Sequence, residues 1–254
     1  MRILVLDIET APNVAYVWRF FKENVGASQV LEHSYMLSFS AKWLGEEEIF
    51  YYDAEYHTEK FLLGKMNELL EMADAVVAHN GRRFDVPKIR GRSLVHDLDI
   101  PSPYKVIDTC AIARREFGFE SNSLEYLATV LGCTPKKKHK KFPGFELWLE
   151  CLRKNPAAWA EMREYNIQDI ITLEEIYLKM RPYDTRHPNV AVYEESEELM
   201  CVKCGSEDLH PRGWAHTNVG KYRRYRCSGC GGWNRGRFTE YPKDKKKSLL
   251  TNAV

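Results

Sequence analysis

The sequence predicts an α/β domain with a mixed sheet and helices packed on its faces, followed by a small zinc-binding module. Five short apolar runs read as strands and alternate with stretches of helical period after an initial antiparallel meander. Four cysteines near the carboxyl end form two Cys-x-x-Cys pairs. The 254 residues are 44% hydrophobic, which is enough for a sizeable core.

The first strand, residues 1–6, ends in a pair of carboxylates, Asp7 and Glu9. Residues i and i+2 of a strand point to the same side, so these side chains converge. Two like charges at one spot repel each other unless a cation lies between them. Hard ions such as Mg²⁺ and Mn²⁺ prefer that oxygen environment. An acidic strand end that merely faces water is the alternative interpretation.

The middle of the chain alternates between strands and helices. Further strands are expected at residues 34–43, 48–52, 75–78 and 104–107, with a hairpin turn between the first two. Thr58, Asp108 and Asn122 are expected to cap the helices that follow them. No regular element is assigned within residues 11–31.

A long helix begins at the capping pair Asn155-Pro156 and stops at Pro182. Tyr165 and Asp169 are four residues apart and therefore lie on the same face of it. On their own, they could be surface residues of an amphipathic helix.

Four acids, Asp7, Glu9, Asp85 and Asp169, occupy positions that can meet at the carboxyl edge of the sheet. Several carboxylates without an obvious nucleophile are typical of two-metal phosphodiester hydrolysis, in which two ions hold the attacking water and the leaving oxygen in line. Tyr165 could orient that water by a hydrogen bond.

Three motifs carry a resemblance to a known family. Asp7-Ile8-Glu9-Thr10, then Asn-x-x-x-Phe-Asp from Asn80 to Asp85, then Tyr165-x-x-x-Asp169 resemble in order and spacing the motifs of the DEDD 3′–5′ exonucleases, within the ribonuclease H-like superfamily. The tyrosine indicates the DEDDy branch, because the histidine branch would need His where Glu164 stands. The resemblance covers residues 1–182 and is greatest to the proofreading domain of family B DNA polymerases.

The resemblance implies catalytic roles for five residues. Asp7 would bridge both metal ions, and Glu9 and Asp169 would complete the tighter site. Asp85 would serve the second ion, directly or through water, and Tyr165 would hold the attacking water.

Substrate contacts are also implied. Asn80 and Thr10 would touch the terminal nucleotides. Phe84 is interpreted as a packing residue, and His79 as a structural one, because hard ions prefer oxygen. A basic loop at residues 135–141 adds candidates for phosphate contact, although such a run can simply be solvated, and these candidates are Lys136, Lys137 and Lys138.

The cysteine pairs Cys201/Cys204 and Cys227/Cys230 fit a tetrahedral thiolate site for one structural Zn²⁺, and the segment resembles a zinc ribbon. Residues 196–254 hold 12 basic and 6 acidic residues, whereas the preceding part is net negative. Cations interleaved with rings, Arg223 and Arg224 among them, favour contact with single-stranded nucleic acid. Packing of the rings in the ribbon's own core, or protein contact, is the alternative.

We therefore expect an exonuclease domain at residues 1–193, a ribbon at 194–240 and a disordered basic tail at 241–254. No signal peptide or long apolar run is present in the sequence, which predicts a cytoplasmic protein without membrane insertion.

The expected activity is Mg²⁺- or Mn²⁺-dependent 3′–5′ hydrolysis of DNA at single-stranded or frayed 3′ ends, releasing nucleoside monophosphates. The same chemistry on RNA, or a non-catalytic nucleic-acid-binding adaptor, are the alternatives. Proofreading would require a polymerase or another replication or repair protein in trans.

Overall fold

The chain divides into two units, Arg2–Tyr177 and Met1 with Leu178–Val254. The computed structural model describes residues 1–135 and 141–253. The predicted domain limits at residues 193 and 240 stay a prediction. Among the described residues, no helix combines the length and the apolar character that crossing a bilayer requires.

The first unit alternates strands and helices along the chain. In order, they are β1 (Ile3–Thr10), β2 (Val14–Ala15), β3 (Val30–Glu32), β4 (Met36–Trp43), β5 (Phe50–Asp53), α1 (Glu59–Glu71), β6 (Ala75–Ala78), α2 (Asp85–Val95), β7 (Lys105–Asp108), α3 (Thr109–Glu116), α4 (Leu124–Val130), α5 (Glu146–Leu152) and α6 (Pro156–Met180). Short 3₁₀ turns occur at Ala27–Gln29 in this unit and at Arg181–Tyr183 and Val190–Tyr193 in the second.

Five of these strands form the predicted mixed sheet, in the order β5-β4-β1-β6-β7. The pairs β1/β4 and β4/β5 are antiparallel, whereas β1/β6 and β6/β7 are parallel. The strand that carries the paired acids is therefore the central one. The amino-terminal half of β1 is buried on both faces, which explains why its sequence is continuously apolar and does not alternate with polar residues.

Helices cover both faces of the sheet, as predicted. Leu4, Leu6 and Ile8 pack in one cluster with residues of α1 and α2. A second cluster contains Leu37 of β4 with residues of α5 and α6. Because side chains alternate along β1, Asp7 and Glu9 point away from the first cluster.

Thr58, Asp108 and Asn155 each accept a backbone N–H from the first turn of the helix that follows, which confirms these three caps. The cap at Asn122 is wrong, because the Ser123 hydroxyl accepts the N–H at the start of α4 instead. Ser123 has extended backbone angles directly before the helix and is an equally good capping residue.

The second unit contains a small antiparallel sheet. Its elements are β8 (Leu209–Thr217), β9 (Gly220–Cys227), β10 (Trp233–Arg235) and α7 (Lys243–Lys247), with the strands in the order β10-β9-β8. The short helix α7 lies in the segment for which the sequence predicts disorder. Pro242 at its cap and an acid in its first turn before lysines in its last turn suit a helix and its dipole.

The turn after β6 brings the second acidic motif to the edge of the sheet. Asn80 is in the left-handed region at φ 63°, which asparagine tolerates. Gly81 passes so close to β6 that an added Cβ would lie 2.4 Å from the Ala78 Cβ. Asp108 accepts the N–H groups of Asn80 at 3.0 Å and Arg82 at 3.1 Å and so holds the turn against β7.

We expect Gly81→Ala to destabilise the first unit by about 1–3 kcal/mol, because the new methyl group overlaps a fixed strand. Gly64→Ala in α1 is the matched control. No atom lies within 4 Å of its added Cβ, and alanine is the better helix former there. Urea denaturation of both variants measures the difference, and equal stability would contradict this account of the turn.

Candidate active site

Three carboxylates converge where β1 meets α6. Asp7 and Glu9 lie near the end of the strand, and Asp169 lies on the helix. One oxygen from each lies within 4.8 Å of the others, and Asp169 is buried. Acids separated by 160 residues of sequence are thus brought into one group, as the motif order predicts.

Asn166 holds the first of these acids in place, and the sequence prediction missed it. Its amide Nδ2 donates to Asp7 Oδ2 at 2.7 Å, and its Oδ1 accepts from the Ser38 hydroxyl at 3.2 Å. The Asn166 side chain is fully buried. The signal in the sequence is its position directly after Tyr165 on the predicted long helix, from which an amide can reach the sheet.

Trp148 of α5 holds the second acid, and it was also missed. Its indole Nε1 donates to Glu9 Oε2 at 3.2 Å, and its ring packs edge-on against Tyr165 with centroids 6.0 Å apart. Helix α5 has only seven residues and follows the basic loop, so its periodicity is too short to recognise in the sequence.

The Tyr165 hydroxyl lies in a strongly acidic environment. Burial, followed by the charges of Asp169, Glu9 and Asp7, raises the Tyr165 pKa well above its usual value. The hydroxyl therefore keeps its proton at any physiological pH and can act as a hydrogen-bond donor.

Asp85 lies beside β1 but outside the group of three. Its Oδ1 accepts the Ile8 backbone N–H at 3.3 Å. Within the described residues, the acids that share one potential ion site are Asp7, Glu9 and Asp169. Burial raises the Asp85 pKa to about 7, and the charge of Asp108 adds to this effect.

The neighbouring motif residues have different environments. Both ring nitrogens of His79 are hydrogen-bonded, to the Thr109 hydroxyl and the Asn122 carbonyl, each at 2.9 Å, which fits its predicted structural role. Phe84 is not the packing residue that we predicted, since 38% of it is exposed. It precedes α2 directly in a turn, and this takes its ring out of the core.

An open pocket of about 300 Å³ adjoins Glu9. Thr10, Ala11 and Pro12 line one part of it, and Phe145 and Trp148 line another. Thr10 therefore faces a space bordered by two aromatic rings, of which the Trp148 ring also binds the Glu9 carboxylate.

The acidic group fits a hard divalent cation. Its donors are carboxylate oxygens, which Mg²⁺ and Mn²⁺ prefer. Asn166 donates to one oxygen of Asp7 and Trp148 to one oxygen of Glu9, and both contacts orient these carboxylates within the group.

The four cysteines of the ribbon also form one group. Sγ atoms of Cys201 and Cys230 are 3.7 Å apart, and those of Cys204 and Cys227 are 3.6 Å apart. Four sulfurs at 2.3 Å from a tetrahedral zinc would be separated by about 3.8 Å. Burial raises the pKa of the Cys201 thiol, but backbone N–H groups and the side chains of Asn234 and Cys230 together outweigh it and lower this pKa to about 7. Burial raises the pKa of Cys204 and Cys230.

The predicted nucleic-acid contacts of the ribbon lie on β9. The Arg223 guanidinium lies 4.9 Å from the Trp214 ring centroid, and the Arg224 guanidinium lies 4.7 Å from that of Trp233. Both are thus stacked on aromatic rings. The candidates Lys136, Lys137 and Lys138 lie outside the described residues.

Comparisons with known proteins identify the fold. Residues 22–181 match the model of the RNase H superfamily. The structure is similar to the family B DNA polymerase from the hyperthermophilic archaeon Pyrobaculum calidifontis, with a TM-score of 0.53, 13% identity and 72% of this chain covered. At that identity the likeness concerns the fold alone, and the match spans 25% of the polymerase. No curated protein matches the chain. Family and acidic group together support nuclease activity.

The raised pKa of Asp85 predicts a pH-dependent stability of the metal-free protein. Between about pH 4 and pH 7 the unfolded chain releases a proton that the folded protein keeps, so the unfolding free energy falls as the pH rises. Relative to Asp85→Asn, the natural protein should lose about 2 kcal/mol of unfolding free energy from pH 5 to pH 7. Urea denaturation with a chelator measures this.

Asp99→Asn is the control for that comparison, because Asp99 is exposed. Its stability difference from the natural protein should not vary with pH. A difference for Asp85→Asn that is equally constant would contradict the raised pKa.

The ribbon should hold one zinc ion per chain. Cys227→Ser with Cys230→Ser removes two of four ligands, so elemental analysis of the purified variant should show the zinc lost. Cys133 lies outside the group, so the Cys133→Ser variant should keep its zinc. Zinc retained at one equivalent after the double substitution would refute the site.

Proposed function

The chain belongs to the ribonuclease H superfamily, and we propose that it is a metal-dependent 3′–5′ exonuclease of the DEDDy type. It hydrolyses phosphodiester bonds of DNA at single-stranded or frayed 3′ ends and releases nucleoside monophosphates. The convergence of Asp7, Glu9 and Asp169 within 4.8 Å is the observation that carries this proposal.

Asp7, Glu9 and Asp169 are the proposed ligands of one Mg²⁺ or Mn²⁺ ion, and Asp85, on the Ile8 side of β1, is the proposed ligand of the second. When bound, such ions lower the pKa of a water nucleophile and neutralise the charge that develops on the phosphate. The raised Asp85 pKa would fall on binding a cation, because the cation favours the ionised form.

Three side chains around these acids prepare them for the reaction. Asn166 fixes Asp7, and Trp148 fixes Glu9, each through one N–H, so both carboxylates keep their orientation before substrate arrives. Tyr165 stays protonated among the acids and is the proposed donor that orients the attacking water.

The pocket beside Glu9 supports an action at strand ends. Its aromatic border at Phe145 and Trp148 suits a terminal base, and Thr10 is the proposed contact to the same nucleotide. Asn80, on the turn after β6, is the proposed contact to the terminal nucleotides from the β6 side of β1.

The zinc ribbon is proposed as a second grip on the strand. Arg223 and Arg224 carry charges for phosphates, and each already lies on an aromatic ring. A polymerase or another replication or repair protein is the proposed partner if the activity serves proofreading.

Asp7→Ala and Asp169→Ala should each lower hydrolysis of a 3′-labelled oligonucleotide in Mn²⁺ by at least a thousandfold, since each removes a proposed ligand of the shared ion. Release of labelled mononucleotide is the readout. Binding of the same oligonucleotide, measured in Ca²⁺, should change by less than fivefold.

Asp99→Ala, at an exposed position, is the control and should retain full activity. A panel of single-stranded, blunt, 3′-overhang, 3′-blocked and RNA oligomers establishes polarity and sugar preference. Undiminished turnover in either acid variant would refute the proposed site, and oligonucleotide binding without cleavage by the natural protein would indicate an adaptor.

A further inference from the structure

Residues 11–35 form a finger that continues the β1/β4 pair beyond the end of the sheet where the acids lie. The last pair of that ladder is Thr10 with Met36. The Ala11 N–H then donates to the Tyr35 carbonyl at 2.8 Å, and β2 pairs with β3 further out. The finger therefore begins at the candidate active site and leads away from it.

The tip of the finger exposes large aromatic side chains to solvent. The exposed fractions are 94% for Trp18, 93% for Phe20, 83% for Phe21 and 71% for Tyr16. Scattered single apolar residues are normal on a protein surface, but several large rings within six residues are a feature of binding surfaces.

The tip is held in shape by its own polar residues. The Glu23 carboxylate accepts the backbone N–H groups of Trp18 at 3.1 Å and Arg19 at 2.8 Å, and the Gln29 amide at 3.2 Å. These backbone bonds lower the Glu23 pKa. The same Gln29 amide donates to the Tyr16 carbonyl at 3.0 Å. These bonds join the two sides of the tip through Glu23 and Gln29, and the rings that it carries point to solvent.

The chemistry of the tip matches unpaired nucleotides. Arg19 and Lys22 are exposed among the rings, whereas the one acid of the tip, Glu23, is engaged by backbone N–H groups. Exposed rings for bases next to cations for phosphates are the two components of single-strand binding.

The reach of the finger fits the same strand that enters the site. Trp18 follows Thr10 by eight residues, so at full extension the two are at most about 28 Å apart. That distance corresponds to a few nucleotides of an extended single strand. A strand whose 3′ end lies at the acids can therefore place its upstream bases on the tip.

We propose that Trp18, Phe20 and Phe21 form a stacking platform for the single-stranded segment on the 5′ side of the nucleotide being removed. This inference rests on the proposed exonuclease function. It assigns to the finger the recognition of substrate length, because only strands longer than a few nucleotides reach from the acids to the tip.

The test compares a long and a minimal substrate. Changing Trp18, Phe20 and Phe21 together to Ala should weaken binding of a single-stranded 20-mer in Ca²⁺ at least tenfold, by anisotropy, and raise its KM similarly with kcat unchanged. Hydrolysis of the p-nitrophenyl ester of thymidine 5′-monophosphate should stay within twofold of the natural rate. Circular dichroism melts should match those of the natural protein.

Three further variants separate stacking from other effects. Trp18→Phe with Phe20→Tyr and Phe21→Tyr keeps three rings and should bind the 20-mer within threefold of the natural protein. Arg19→Gln with Lys22→Gln should lower the slope of log Kd against log salt by about 1–1.4, whereas the alanine variant should not change that slope. Leu94→Ala with Ile100→Ala, exposed apolar residues outside the finger, should have no effect.

An unchanged affinity of the alanine variant for the 20-mer would overturn the proposal. An equal loss of activity on the minimal substrate would also overturn it. So would an alanine variant that loses self-association, or binding to phosphatidylserine vesicles, while its oligonucleotide binding stays intact. The binding assay in Ca²⁺ needs no cleavage. Failure of the exonuclease proposal would appear as an inactive natural protein, independently of whether the finger binds DNA.

Discussion

Electrostatic repulsion among Asp7, Glu9 and Asp169 is the constraint on which the rest of the structure depends. Three carboxylates with oxygens within 4.8 Å of each other destabilise the fold unless they are protonated or share a cation. The side chains of Asn166 and Trp148 offset part of this repulsion, because each donates an N–H to one of the two strand acids. A divalent cation shared by the three acids would offset the repulsion further.

The position of α6 relative to the sheet decides whether this group exists, because α6 carries Asp169 and Asn166. Glu174, further along the helix, pairs with Lys42 of β4 at 2.5 Å and accepts the Gly45 N–H at 2.8 Å. Both ends of the pair are almost buried, so a sliding helix would leave a charge without its partner. The Ser38–Asn166 hydrogen bond adds a contact closer to the acids. The helix is therefore fixed to the strand next to β1.

Much of this architecture follows from local sequence signals. The mixed sheet, the helices on both faces and three caps were predicted, since strands, periodic helices and capping residues such as Thr58 have clear patterns. Helix α5 and the finger were not, because seven residues give too little periodicity and the finger's aromatic residues have no buried face. Trp148 and Asn166 were missed for a related reason. Their roles depend on partners about 139 and 159 positions away.

The most direct test of the shared cation site is anomalous diffraction from crystals grown with Mn²⁺ and a nucleoside monophosphate. The account predicts two manganese peaks about 3.5–4 Å apart, with one peak in contact with Asp7, Glu9 and Asp169 together. Manganese peaks elsewhere in the crystal, with no peak among these three acids, would contradict the account.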